Sequence, residues 1–288
     1  MSHKQITRVL PTIQTTEGDG LVIRRAFPTK SMDHLDPFLL LDHFGPRTVP
    51  PGDTHGVPPH PHRGFQTVTY MLSGEFEHRD SEGNHGLLSP GDLQWMIAGD
   101  GVVHSEMPSE KFQKQGGTLH GFQLWVNLPA TDKRMPPKYQ DIPSAKVPEV
   151  SPSPNYNVRV LAGEFSGLKG VVETRVPVLY LHVKLSSGSL EVPVPTSWNT
   201  MAYVFQGTLG QGKDELHEGS LAIYGEEGNS VKLEAGDSGC EVLLIAGEPL
   251  KEPVVRYGPF VMNTEEEIYT AISDFRAGKL GRGSVGVG

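Results

Sequence analysis

Hydrophobic and polar positions alternate in short runs along much of the chain. VIRRAFP from Val22, FLLLDHF from Phe38, QTVTYMLSG from Gln66 to Gly74 and LHGFQLWVNLP from Leu119 to Pro129 each read as a strand. Turn-forming stretches lie between them, RDSEGN at Arg79–Asn84 and LSPGD at Leu88–Asp92. The pattern resumes with VLYLHVKLSSGSLEVPVP from Val178 to Pro195 and TMAYVFQGTL from Thr200 to Leu209. SLAIYG, VKLEAG and CEVLLIAG carry it through Gly247. Short strands at regular spacing predict an all-β protein of barrels or sandwiches.

The stretch from Arg134 to Pro154, RMPPKYQDIPSAKVPEVSPSP, is charged and proline-rich and reads as a linker. It predicts one barrel over 1–135, a linker over 136–155 and a second barrel over 156–262. VTYMLSG at Val68–Gly74 is echoed by MAYVFQG at Met201–Gly207, and SPGDLQWM by HEGSLAIY. The echo suggests two copies of one β-fold. A short helix and tail are expected over 263–288. Asn263 or Thr264 can cap it, Glu265, Glu266 and Glu267 suit its N-terminal dipole, and Ile268, Ala271, Ile272 and Phe275 form an apolar stripe. It should end near Gly278, and GRGSVGVG reads as a frayed tail.

Composition agrees with this pattern. The 288 residues include 34 Gly and 24 Pro, too many for a helical bundle. A net charge of −9, without a basic patch, argues against direct nucleic-acid binding. Cys240 is the only cysteine, which excludes intramolecular disulfides and thiolate clusters and points to a reducing compartment. With no signal-peptide core and no apolar run of about 20 residues, a cytoplasmic protein without membrane contact is expected.

The candidate chemistry lies in two matched pairs. His60 and His62 flank Pro61, and residues i and i+2 of an extended chain point to one side. His104 and Glu106 repeat that spacing, far enough along for an antiparallel strand to return beside the first. Three imidazoles and a carboxylate suit Fe(II), Mn, Ni, Cu or Zn and leave open coordination positions.

The stretches GVPPHPHRGFQTVTYMLSG, LSPGDLQWMIAGDGVVHSEMP and LHGFQLWVNLP resemble the pirin family of the cupin superfamily over roughly residues 35–130. PVLYLHVKL and PFVMNTEEEI are similar to that family's C-terminal domain. The resemblance implies a bicupin, two antiparallel β-barrel or jelly-roll domains, with one metal ion in the first. Its four ligands fall on His60, His62, His104 and Glu106, and Fe(II) is the foremost ion. Gln66 or Thr67 stands where the general cupin pattern has a Glu ligand, so the carboxylate must come from Glu106. The echo puts Pro193 and Pro195 where the second barrel's histidines would fall, so that barrel should hold no metal by this motif.

Other residues read more simply. Phe65, Trp95, Met107 and Trp125 are expected to pack the barrel, with one or two reaching a ligand pocket. Arg63 reads as a structural ion-pair partner and Cys240 as a buried, inert thiol. His34, His43 and His55 read as structural or surface groups, and His78 and His85 as solvent-facing. His120, His182 and His217 have no evident partner.

Two functions follow from the resemblance. The first is a quercetin 2,3-dioxygenase acting on a flavonol-like substrate and O2, with Glu106 as general base as well as ligand. The alternative is a non-enzymatic, redox-sensing regulator that binds a protein partner. A substrate-sized cavity at the metal would favour the enzyme, and a sealed site the regulator.

Overall fold

The computed structural model describes residues 2–281 apart from 211, 213 and 214. The chain is built mainly of antiparallel strands. It divides into two compact units, one of residues 14–27, 38–144 and 250–288 and the other of 1–13, 28–37 and 145–249.

In the first unit a seven-stranded sheet runs, in spatial order, Lys138–Ile142, Leu93–Ile97, Phe65–Ser73, Gly117–Asn127, Phe38–Val49, Leu21–Phe27 and Ile13–Glu17. A four-stranded sheet holds Val57–His62, Val102–Pro108, Phe76–Asp80 and His85–Leu88. Leu21, Phe44, Met71 and Leu119 of the larger sheet meet Phe76 and Leu88 of the smaller in one buried cluster. Such burial of side chains between two sheets is the main stabilising term of a sandwich or jelly roll.

The second unit repeats this order. Ile6–Pro11, Ser220–Tyr224, Asn199–Leu209, Ser230–Gly247, Val178–Leu185, Tyr156–Ala162 and Glu149–Ser153 lie side by side. The echoed strands occupy equivalent places: Phe65–Ser73 lies between Leu93–Ile97 and Gly117–Asn127, and Asn199–Leu209 between Ser220–Tyr224 and Ser230–Gly247. The interior of this unit is aliphatic, with Val158, Val160, Leu181, Val192, Val231 and Leu233 in one cluster.

The division differs from the linear one expected. Residues 6–11 pair with 220–224 and so belong with the later half. The proline-rich stretch is not a free linker: Lys138–Ile142 pairs with Leu93–Ile97, and Glu149–Ser153 pairs with Tyr156–Ala162. Its prolines fall largely outside the paired residues, where a missing N–H costs no ladder bond.

Two α-helices occur among the described residues. α1, Glu110–Gln115, starts where Ser109 Oγ accepts the Phe112 amide. Six residues carry too little periodicity to stand out in the sequence. α2, Glu265–Arg276, starts at Thr264 with a reciprocal capping box to Glu267. Ile268 and Ala271 are buried, with Ile272 and Phe275 packed beside them. From residue 282 the expected tail lies outside the described residues. No helix among the described residues is long and apolar enough to cross a membrane.

Candidate metal centre

Sheet register brings the histidines together. Val57–His62 pairs with Val102–Pro108, which sets His104 opposite His60, and the register shifts between His104 and Glu106. One nitrogen from each of His60, His62 and His104 lies within 4.8 Å of the other two.

The ring contacts fit a cation. His60 Nδ1–H donates to the Pro58 carbonyl at 2.8 Å, which leaves the lone pair on Nε2. That Nε2 stands 2.9 Å from His62 Nε2. Neither nitrogen of the buried His104 has a hydrogen-bond partner among the described residues. Buried polar atoms are ordinarily paired, so converging imidazole nitrogens without partners are what a divalent ion would satisfy. Burial holds all three imidazoles below their ordinary pKa, in the neutral form that ligates.

Glu106 is buried and lines the same cavity as His60 and His62, although it stands outside the three-nitrogen group. Burial pushes its carboxyl up to about 7. Thr69 Oγ1 lies 2.8 Å from Glu106 Oε1 and 2.8 Å from Gln123 Oε1. A hydroxyl has one proton to give, so Thr69 can donate to the Glu106 carboxylate. When Glu106 is protonated, Thr69 can accept from it and donate to Gln123. The arrangement accommodates both protonation states.

The cavity measures about 610 Å³, within the usual range for small-molecule sites. Leu21, Ile23, Leu40, Phe44, Phe76 and Trp125 give it apolar walls, and Arg25, Asp42, Gln123 and Arg256 give polar points. Arg25 grips Asp42 with two bonds, of 2.8 Å and 2.6 Å, and also donates to Glu17.

The remaining candidates fall elsewhere. Gln66 is buried and structural: it accepts from Trp95 Nε1 at 2.9 Å. Thr67 is buried beside it. Phe65 and Trp95 are packed in the interior, and Trp125 reaches the cavity. Arg63 is buried, donating to the Asp100 carbonyl and to Asp274 of α2. Cys240 is buried, and burial pushes its thiol up to about 11.

His78 corrects an expectation. It is buried, not solvent-facing, because Phe76–Asp80 lies beside Val102–Pro108 with His78 opposite Glu106. Its ring stacks on Tyr139 at 5.0 Å. His120 does have a partner, facing His43 with Nε2 atoms 2.8 Å apart, and His182 pairs with Glu241 at 3.0 Å. Arg256 lies in no sequence motif, yet it lines the cavity.

Two family models match the chain, Pirin over residues 20–126 and the Pirin C-terminal cupin domain over residues 180–281. Human pirin is 43% identical over 288 residues, covering 97% of this chain and 95% of its own length. Pirin-like protein 2 of Arabidopsis thaliana is 40% identical over 290 residues, covering 98% and 86%. A crystal structure of quercetin 2,3-dioxygenase from Acinetobacter baumannii has a TM-score of 0.92 and 37% identity, covering 97% of this chain and 99% of that one.

Proposed function

The chain belongs to the pirin family, and on that premise we propose that it is a metal-dependent dioxygenase that opens the ring of a flavonol such as quercetin and releases carbon monoxide. The observation that carries this reading is the cavity of about 610 Å³ that ends on His60, His62 and Glu106. A site serving only as a redox sensor needs no such room. The similarity to a protein named quercetin 2,3-dioxygenase supports the same choice.

His60, His62, His104 and Glu106 are the residues that would hold the ion, Fe(II) foremost. When bound, it supplies Lewis acidity that lowers the pKa of a substrate hydroxyl. Glu106, the buried carboxylate on the cavity wall, takes the hydroxyl proton. Thr69 then donates to the carboxylate or accepts from the acid, so the proton has a place to rest. The apolar walls exclude water from the flavonol ring while O2 reacts.

The test is anaerobic reconstitution with Fe(II), Mn(II), Ni(II) and Cu(II) in turn, followed by quercetin and oxygen. Loss of the flavonol absorbance with release of carbon monoxide is expected for at least one ion. Absence of turnover with all of them overturns the dioxygenase reading.

A further inference from the structure

We propose that Gln123 is a positioning residue of this cavity, holding a second hydroxyl of the substrate close to the one that meets the histidines. The inference rests on the dioxygenase reading for the class of substrate, but its geometry is independent of it.

Strand register builds a polar row across the seven-stranded sheet. Arg25 stands opposite Asp42, Asp42 opposite Gln123 and Gln123 opposite Thr69. Thr69 in turn stands opposite Gln94, and Gln94 opposite Asp141 on the edge strand Lys138–Ile142. Residues directly opposite in antiparallel strands share a face. Six strands thus contribute one polar side chain each to the same line. Arg25, Asp42 and Gln123 line the cavity, and Thr69 bonds Glu106.

Gln123 is held at one end. Thr69 Oγ1 donates to its Oε1 at 2.8 Å, and no hydrogen bond to its Nε2 occurs among the described residues. Its neighbour Asp42 is already gripped by Arg25 with two bonds. Along the strand Phe122 and Leu124 are buried, whereas Gln123 between them is half-buried and lines the cavity. Leu40 and Trp125 share that wall, and an aliphatic side chain would pack against them as well. A polar group set among apolar walls costs free energy until it is bonded. The free end of the carboxamide recovers that cost when an oxygen of a ligand reaches it.

The chemistry of that oxygen follows from Thr69, which has one proton to give. With Oε1 on Thr69, the amide offers N–H to the cavity. When Thr69 gives its proton to Glu106, the amide turns end for end and offers its carbonyl instead. A hydroxyl serves both arrangements, accepting from N–H or donating to the carbonyl, whereas a ketone or ether oxygen serves only the first. Only Thr69 stands between Glu106 and the carboxamide, so the second hydroxyl must lie near the reacting one on the substrate. On a flavonol the 5-hydroxyl meets this requirement, across the 4-carbonyl from the 3-hydroxyl, and the hydroxyls of the pendant ring do not.

The test uses the full chain loaded with Zn(II), which has no redox chemistry and leaves a bound flavonol intact. Binding is read by quenching of tryptophan fluorescence. The probes are quercetin and fisetin, which is quercetin without the 5-hydroxyl. The wild type should bind quercetin about five-fold more tightly than fisetin, as expected for one hydrogen bond. Gln123→Met keeps an unbranched side chain of similar length and removes the amide. It should bind the two flavonols about equally, through loss of quercetin affinity alone, with unchanged zinc content and circular dichroism. A merely structural role would weaken both flavonols alike. Equal binding of the two by the wild type, an unchanged preference in Gln123→Met, equal weakening of both, or no binding of quercetin overturns the proposal. If Gln123→Met does not fold, the wild type decides by NMR: the side-chain amide signals of Gln123 must shift further with quercetin than with fisetin, and equal shifts overturn the role. Turnover is measured separately. A Gln123-dependent preference without turnover sinks the dioxygenase reading alone, and turnover with equal binding of the two flavonols sinks this one alone.

Discussion

His60 and His104 face each other across two adjacent antiparallel strands, their ring centres 4.4 Å apart. The candidate metal centre is thereby built into a sheet, where the paired backbone of the two strands fixes the ligand atoms more tightly than a loop could.

Replacing one of the three histidines should therefore empty the site and leave the sheet intact. His104→Ala is expected to reduce bound metal from near one ion per chain to near zero, measured by elemental analysis. The circular dichroism spectrum should keep its β signature, because His104 has no hydrogen bond to lose among the described residues. Retention of full metal content would show that the ligands lie elsewhere.

With turnover expressed per bound metal ion, Glu106→Gln should reduce turnover of the reconstituted protein by about 10²–10⁴-fold, the usual range for loss of a general base. Quercetin affinity should fall far less. Equal losses in kcat and in affinity would place Glu106 in binding and not in proton transfer.

Acid stability of the second unit should depend on Glu241. Hydrogen bonding from His182, and then from Lys184, holds its carboxyl down to about 2 against the opposing effect of burial. In the unfolded chain it would titrate near an ordinary value of about 4.3. The unfolded state thus takes up the proton first as pH falls. The stabilisation is complete above about 4.3 and is lost as pH falls towards about 2. Melting temperature followed over this window should fall less steeply in Glu241→Gln than in the wild type.

Within the first unit the buried Arg63, just after Val57–His62, is tied to α2 through Asp274, at 2.9 Å. Asp274→Ala removes the nearer of the two carboxylates on that guanidinium, the other being Asp100 at 3.7 Å, and should cost about 2 kcal/mol in urea unfolding, in keeping with loss of a hydrogen bond to a charged group. A loss below about 0.5 kcal/mol would mean that the Asp100 carbonyl and water suffice.

Much of the candidate site is legible in the sequence. The i, i+2 spacing of His60 and His62 needs only extended backbone to become a chelating face, and Thr264 with Glu267 announces its helix by local chemistry. What the sequence hid depends on distant pairing. His78 sits in a polar run, RDSEGN following it, and only the neighbouring strand makes it buried. Thr69 and Gln66 alternate with apolar neighbours as solvent-facing residues would, but both are buried and satisfied by Glu106 and Trp95. Arg256 lies in no motif, and only the fold sets it over Trp125, more than a hundred positions earlier in the chain, on the cavity wall.

The grouping of residues 14–27, 38–144 and 250–288 in one unit also bears on biosynthesis. The histidines emerge from the ribosome first, and Arg256, Pro259 and the helix that anchors Arg63 follow only after residues 145–249 of the other unit. Assembly of the histidine cluster and closure of the cavity wall are therefore separate steps in the life of the chain, set apart by the synthesis of most of another folding unit.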